Sequence, residues 1–242
     1  MITAVLFGLA ASSALVIGAV IGSISKPPKQ VTGVLLAFAS GALISALAFE
    51  LFEEAFHLGG ATRSGLGLLA GAAVFVVADS ALDRHAGRKH AKQRDAAGTN
   101  AAGEVGWLLL AGVTLDGVPE NLALGVSLVE GTSLALLVAI FVSNLPEALV
   151  GALAMRAGGR DKRAVIWTWT ACAALLAVAA VAGRALADLL SDEVLSVALS
   201  FAGGAVLASL ADTIMPEAFE RGGKLIALAT TAGFFLSFML AA

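Results

Sequence analysis

Residues 111–127 read AGVTLDGVPENLALGVS, and residues 136–150 read LLVAIFVSNLPEALV. Each is almost pure hydrocarbon with a Pro-Glu pair set behind a polar residue. The first holds Asp116, Gly117, Val118, Pro119 and Glu120; the second holds Ser143, Asn144, Leu145, Pro146 and Glu147. Proline has no N–H, so the carbonyl four residues earlier, at Leu115 or Val142, loses its helical partner. Each stretch therefore sets a carboxylate and a bare carbonyl oxygen at about one level. Both lie in apolar runs long enough to cross a bilayer, where a carboxylate costs roughly 2.5–3.5 kcal/mol and marks a working position. A cation site within a membrane would be built this way.

The whole chain is of this kind. It has 242 residues, 59% of them hydrophobic and 14% charged, against about 25% charged in ordinary soluble domains, and its mean hydropathy is +0.92. That excludes a globular enzyme with one aqueous-type core. The runs are continuous and rich in Ala, Leu, Val and Gly, without period-two alternation, which predicts helices and not a barrel. Segments near 2–24, 31–56, 65–82, 104–129, 133–156, 163–187, 194–219 and 224–241 are each long enough for the ~30 Å hydrocarbon layer. The expectation is an all-α membrane protein of eight transmembrane helices, a single domain over 1–242, with a mobile basic loop at 83–103. The first run lacks a basic lead-in, so it is expected to be a retained helix and not a cleaved signal peptide. Cys172 stands alone, which leaves no disulfide framework or thiolate cluster.

The net charge of −3 says little, because charge is sorted by side. Thirteen of the 15 Lys and Arg fall in alternate connections: Lys26 and Lys29; Arg84, Arg88, Lys89, Lys92 and Arg94; Arg156, Arg160, Lys162 and Arg163; Arg221 and Lys224. The opposite side has Arg63 and Arg184. The positive-inside rule assigns the first group to the cytoplasm and both termini to the outside of the cell membrane.

An internal repeat is also visible. FASGALISALAFELFEEAF (38–56) and FAGGAVLASLADTIMPEAF (201–219) match at nine of nineteen positions at an offset of 163, with Glu54 opposite Glu217. These belong to the second and seventh spans, which run oppositely, the pattern of inverted-topology carriers whose sites lie at the midplane between repeats. Spans four and five echo each other at an offset of 27. The predicted architecture is therefore inverted repeats, spans 1–3 and 6–8, around a central pair, spans 4 and 5.

Asp116 and Glu120 are spaced i and i+4 and share a helix face, as do Ser143 and Glu147, with Asn144 one step round. Packed face to face, the central pair would bring together three carboxylates, an amide and a hydroxyl. Buried like charges take up protons or recruit a cation, and a divalent ion resolves the conflict with proton release on binding. The alternatives are pairing with basic residues and a proton path without metal; no Lys or Arg lies mid-span to serve the first. His57, His85 and His90 sit at span ends or in the basic loop, so the core offers oxygen ligands. Those suit Mn, Mg or Ca by hardness, though zinc also accepts carboxylates.

With its basic loop after span three and Pro-Glu motifs in spans four and five, the chain resembles the ZIP family of divalent-metal transporters, as a divergent prokaryote-type member. The specific signal lies in 116–121 and 143–148. The family's fourth span usually reads His-Asn-x-Pro-Glu-Gly, and its fifth His or Gln, then Asp-x-Pro-Glu-Gly. Position by position, Asp116 takes the place of the His, Gly117 of the Asn, Ser143 of the His or Gln and Asn144 of the Asp, while Glu120 and Glu147 keep the Glu. The family's second metal position draws on the places of Gly117 and Asn144 and on an acid in span six, which has none in its interior here, so one central ion is expected. The resemblance implies an elevator-like motion, a homodimer, and transport of zinc or a broad first-row range including Mn and Fe(II). No cofactor beyond the transported metal is implied, and nothing points to nucleic acid.

Glu50, Glu53, Glu54 and His57 could form an acidic mouth on the outside. Asp79 and Asp83, with Asp212 and Glu217, could line a cytoplasmic exit, Asp212 lying deepest. His85 and His90 could bind cytosolic metal or be solvated. No phosphate-cradling loop supports ATP-driven pumping, and no His-Glu-x-x-His pair supports a zinc protease. The chain is therefore not expected to be an enzyme. The competing readings are an intramembrane aspartyl protease and a proton-coupled carrier of another solute.

Overall fold

The computed structural model describes residues 1–94, 101–129 and 134–241, with backbone alone at 83, 85–94 and 101–109. Among the described residues every regular element is helical: α1 (Ile2–Ile24), α2 (Lys29–Ala46), α3 (Glu53–Arg94), α4 (Ala101–Ser127), α5 (Leu134–Ala157), α6 (Lys162–Ala187), α7 (Asp192–Ser209), α8 (Met215–Gly222) and α9 (Ile226–Ala241). Wide π-type turns at Leu47–Phe52 and Leu210–Ile214 join α2 to α3 and α7 to α8. Five helical stretches are long and apolar enough to cross a membrane: Ile2–Ile24, Lys29–Leu82, Leu134–Ala157, Lys162–Ala187 and Asp192–Ala241. The second and fifth, at 54 and 50 residues, far exceed the ~20 residues of one crossing. Each is broken once, at Gly60 (φ 71°) and at Gly223 (φ 62°), in a region that suits glycine.

The loop expected over 83–103 is corrected. Helix α3 continues to Arg94 and α4 begins at Ala101, because the basic stretch is made of good helix formers (Ala, Arg, Lys, Gln) that need not be apolar to stay helical. Residues 95–100 lie outside the described residues, as do the side chains of Asp83, His85 and His90.

Recurrence at a fixed offset organises the packing. Leu47 and Leu210, which open the two π turns, are 163 residues apart, and so are Gly60 and Gly223. The close helix crossings recur too. Gly41 of α2 lies against the Thr230 carbonyl and Gly233 of α9 against that of Phe38; Gly204 of α7 lies against the Leu68 carbonyl and Gly71 of α3 against that of Phe201. In each case a Cβ would overlap the facing oxygen, so backbones meet at a distance that no other residue permits. Gly22 of α1 on the Leu149 carbonyl of α5 is matched by Gly183 of α6 on the Leu122 carbonyl of α4.

Two apolar clusters result. One is confined to α1, α4, α5 and α6 and centres on Trp169, with Leu15, Ala148, Met155, Val165 and Leu176. The other joins α2, α7 and the segments after their π turns to α4 and α5, through Leu36, Leu43, Leu51, Leu124, Ile140, Leu199 and Leu210. Large apolar side chains also cover the outside, among them Leu69 and Val77 of α3, Val178 of α6 and Phe235 of α9. In water such a surface would drive association; against lipid it is what a membrane protein presents.

Candidate metal centre

The proline-bearing turns of α4 and α5 lie inside the bundle. A cavity of about 60 Å³ is lined by Asp116 and Val113 of α4, Glu147 and Val150 of α5, Asp79 and Phe75 of α3, Leu36 of α2, and Thr213, Ile214 and Glu217 after α7. Four carboxylates from four separate stretches of chain thus face one small space. Glu147 lies within electrostatic reach of Asp116, Glu120 and Glu217, and Asp116 within reach of Asp79.

Asp116 is anchored from across the bundle. Its Oδ2 accepts a hydrogen bond of 2.5 Å from Ser209 Oγ, a fully buried hydroxyl at the end of α7. Its Oδ1 is buried with no hydrogen-bond partner, and so is Oε1 of Glu120. Buried oxygens without partners are rare and costly. A cation or a proton would satisfy each of them. Glu217 closes the far side of the cavity, held by Arg221 one turn on, with Nη2 at 2.8 Å from Oε1.

The five residues expected to converge do not all do so. Asp116 and Glu147 share the cavity. Glu120 is 4% exposed, electrostatically close to Asp116, and set on the adjoining turn. Ser143 gives its hydroxyl proton to the Ile140 carbonyl of its own helix, and the Asn144 amide donates to the Ala11 carbonyl of α1 at 3.5 Å. Neither lines the cavity. Among the described residues no three His, Cys, Asp or Glu side chains are gathered tightly enough to ligate one ion as they stand.

The peripheral acids are also rearranged. Asp212 is exposed and does not line the cavity, whereas Glu217 does. The pattern of burial along this stretch explains this. Buried positions run through Val206, Leu210, Ile214 and Ala218 on one side, and through Leu43, Leu47, Leu51 and Ala55 in the matching place. Asp212 lies two residues from Leu210 and from Ile214, between these buried positions, and so faces outward. Glu53 and His57, 3.8 Å apart (Oε1 to Nε2), line a separate open pocket of about 310 Å³ with Phe49, Glu54, Phe238 and Ala241. Sequence reasoning placed Asp79 and Glu217 on an exit route and missed that they face Asp116 and Glu147 directly; the repeated Glu54 and Glu217 carried a legible hint. Ser209 was missed altogether, its trace being one hydroxyl in an apolar run.

The chain matches no protein-family model and no curated protein at a significant level.

Proposed function

We propose that this protein is a divalent metal cation transporter, carrying zinc and also Mn or Fe(II) into the cytoplasm through a midplane carboxylate site. The observation that carries the reading is the cavity in which Asp116, one turn before Pro119, and Glu147, next to Pro146, meet Asp79 and Glu217 in a space of about 60 Å³. Such a space holds an ion with a water or two and is too small for an organic solute; ligand pockets run to roughly 300–1,000 Å³. The volume therefore weighs against a carrier of another solute. It weighs equally against an intramembrane protease, which must admit a peptide bond.

In this reading Asp116 and Glu147 hold the ion. Glu120 supplies an oxygen when the helices shift, and Ser143 and Asn144 serve by fixing α5 against α1 and its own backbone. Metal uptake releases protons, since a carboxylate ligates only when ionised.

Eight crossings follow if the chain reverses at Gly60 and Gly223. Two ion pairs support that alternation. Arg63 meets Glu193 at 2.8 Å, and Arg184 meets Asp188, so both cations of the sparsely charged side are neutralised. The recurring glycine crossings support spans 1–3 and 6–8 as inverted repeats. The cluster confined to α1, α4, α5 and α6 is a body able to slide against the rest, as in the elevator motion of the ZIP transporters that the Pro-Glu motifs resemble. A homodimer in the cell membrane, with both termini outside, completes the proposal.

The test is uptake by purified protein in vesicles, across Zn, Mn, Fe(II) and Mg. Saturable Zn uptake that disappears in Asp116→Ala and Glu147→Ala supports the site, and normal uptake by the Glu147→Ala protein removes it.

A further inference from the structure

Helices α3 and α4 leave a second, larger concavity between them. It measures about 930 Å³ and is lined by Ala78, Ala81 and Leu82 of α3 with Leu115, Val118 and Pro119 among the α4 residues. Its lining is apolar but for Thr114. The single hydroxyl there, Thr114 Oγ1, donates to the Leu110 carbonyl at 2.7 Å and lies 3.6 Å from Cys172 Sγ. A groove of this kind has nothing with which to orient a polar ligand and much with which to hold a hydrocarbon chain. One end of it, at Leu82, is two residues from the exposed side chain of Arg84. From there the backbone of α3 stays helical to Arg94, carrying Arg88, Lys89, Lys92 and Arg94 in its sequence.

We propose that the seam between α3 and α4 is a binding site for an anionic phospholipid, with an acyl chain in the groove and the headgroup at Arg84. Basic clusters just beyond a membrane crossing, and basic pockets between crossing helices, attract anionic headgroups. The inference rests on the reading of these helices as membrane-crossing with their basic ends at the cytoplasmic surface. A second copy of this chain fits the groove less well, because a two-fold contact centred there would set Arg84 against its own copy.

The location gives the lipid a consequence. Leu115 and Val118 line the groove on the helix that turns Asp116 toward the metal cavity. Helix α3 packs along α7 and helix α4 along α6, so a chain lodged between α3 and α4 touches both helix groups at their seam. Occupancy would then hold the two groups in register.

The experiment is native mass spectrometry of the full chain released from an equal mixture of phosphatidylglycerol and phosphatidylcholine, with no metal added. Wild type retains phosphatidylglycerol in excess. Arg84→Gln, an exposed change, lowers that excess about fivefold, the effect of one basic residue at a lipid surface. Ala78→Phe, which fills the groove, lowers retention of both lipids, and Ala81→Leu repeats the result with a smaller side chain. Equal retention of the two lipids by wild type, an excess unchanged in Arg84→Gln, or a dimer that Ala78→Phe dissociates would each overturn the proposal. Because the readout needs no metal, loss of lipid selectivity with intact Zn uptake rejects this inference alone. Selective lipid retention without Zn uptake rejects the transport reading alone.

Discussion

Glu217 and Glu54 stand at matching positions of the two repeated stretches, yet they face different surroundings. Glu217 is half-buried, paired with Arg221, and lines the cavity that holds Asp116 and Glu147. Glu54 lies in the open pocket with Glu53, His57 and Phe238 and has none of the central acids in its lining. The neighbours differ in the same ordered way: Phe75 and Asp79 of α3 flank Glu217, while Phe238 and Ala241 of α9 flank Glu54. Under the proposed transport reading, equivalent sequence in unequal settings would be one of two alternating states, with the site joined to the α8 end and parted from the other. The difference also assigns separate tasks to acids that look alike in the chain.

The largest expected effect tests whether the central acids dominate either end. Asp116→Ala and Glu147→Ala reduce Zn uptake in vesicles to background, whereas Ser143→Ala and Asn144→Ala keep measurable flux. Equal loss in all four would return Ser143 and Asn144 to the ligand set.

Next comes the packing that makes the two halves equivalent. Gly204→Leu and Gly41→Leu each force a side chain onto a facing carbonyl and should cost about 3 kcal/mol, the upper range for overpacking. A thermal-melting series in detergent checks this. A large loss at one position and none at the other would show that the two crossings are not equivalent.

Acidity sharpens the comparison further. Metal binding needs ionised carboxylates, so lowering pH protonates them and weakens binding, by about tenfold per pH unit for each proton displaced. Zn affinity measured by titration calorimetry between neutral and mildly acid pH should fall as pH falls. An affinity independent of pH would mean that the acids do not ligate.

The two ends themselves are compared by Glu217→Gln and Glu53→Gln. Removing the charge that faces the site should slow uptake by about tenfold, the lower range for electrostatic focusing in a cleft, and removing the exposed one should change it far less. Initial rates at low Zn decide the matter, and a reversed order would put the working route at the Glu53 end. Smallest is Ser209→Ala, which deletes the hydrogen bond to Asp116. A loss of about 1 kcal/mol should weaken Zn binding about fivefold while leaving the fold intact. No change would mean that α7 does not position Asp116.

Much of this was legible in advance. The apolar runs at 2–24 and 163–187 became α1 and α6 almost residue for residue, because a long Ala/Leu/Val run that must satisfy its own backbone has little choice but helix. Asp116 and Glu147 were legible as a pair because each is an acid within one turn of a proline in hydrocarbon. The basic stretch at 83–94 was misread as loop because charge was taken for irregularity, although Ala, Arg, Lys and Gln are good helix formers. Spacing along one helix does not say that α1 will offer a carbonyl to the Asn144 amide.

Sequence by itself settled what any segment must do alone: which stretches are helical and apolar, where charge is stacked, and that 38–56 and 201–219 are versions of one another. Those properties follow from composition and short-range backbone chemistry. Which acids share a cavity was decided by the tertiary structure alone. Beside the π-type turn Leu210–Ile214, Glu217 lines the cavity with Asp79, Asp116 and Glu147, whereas Asp212 is exposed. The glycine crossings then set how near the facing helices stand. A linear pattern presumes an unbroken helical period, and this molecule breaks that period beside its candidate site.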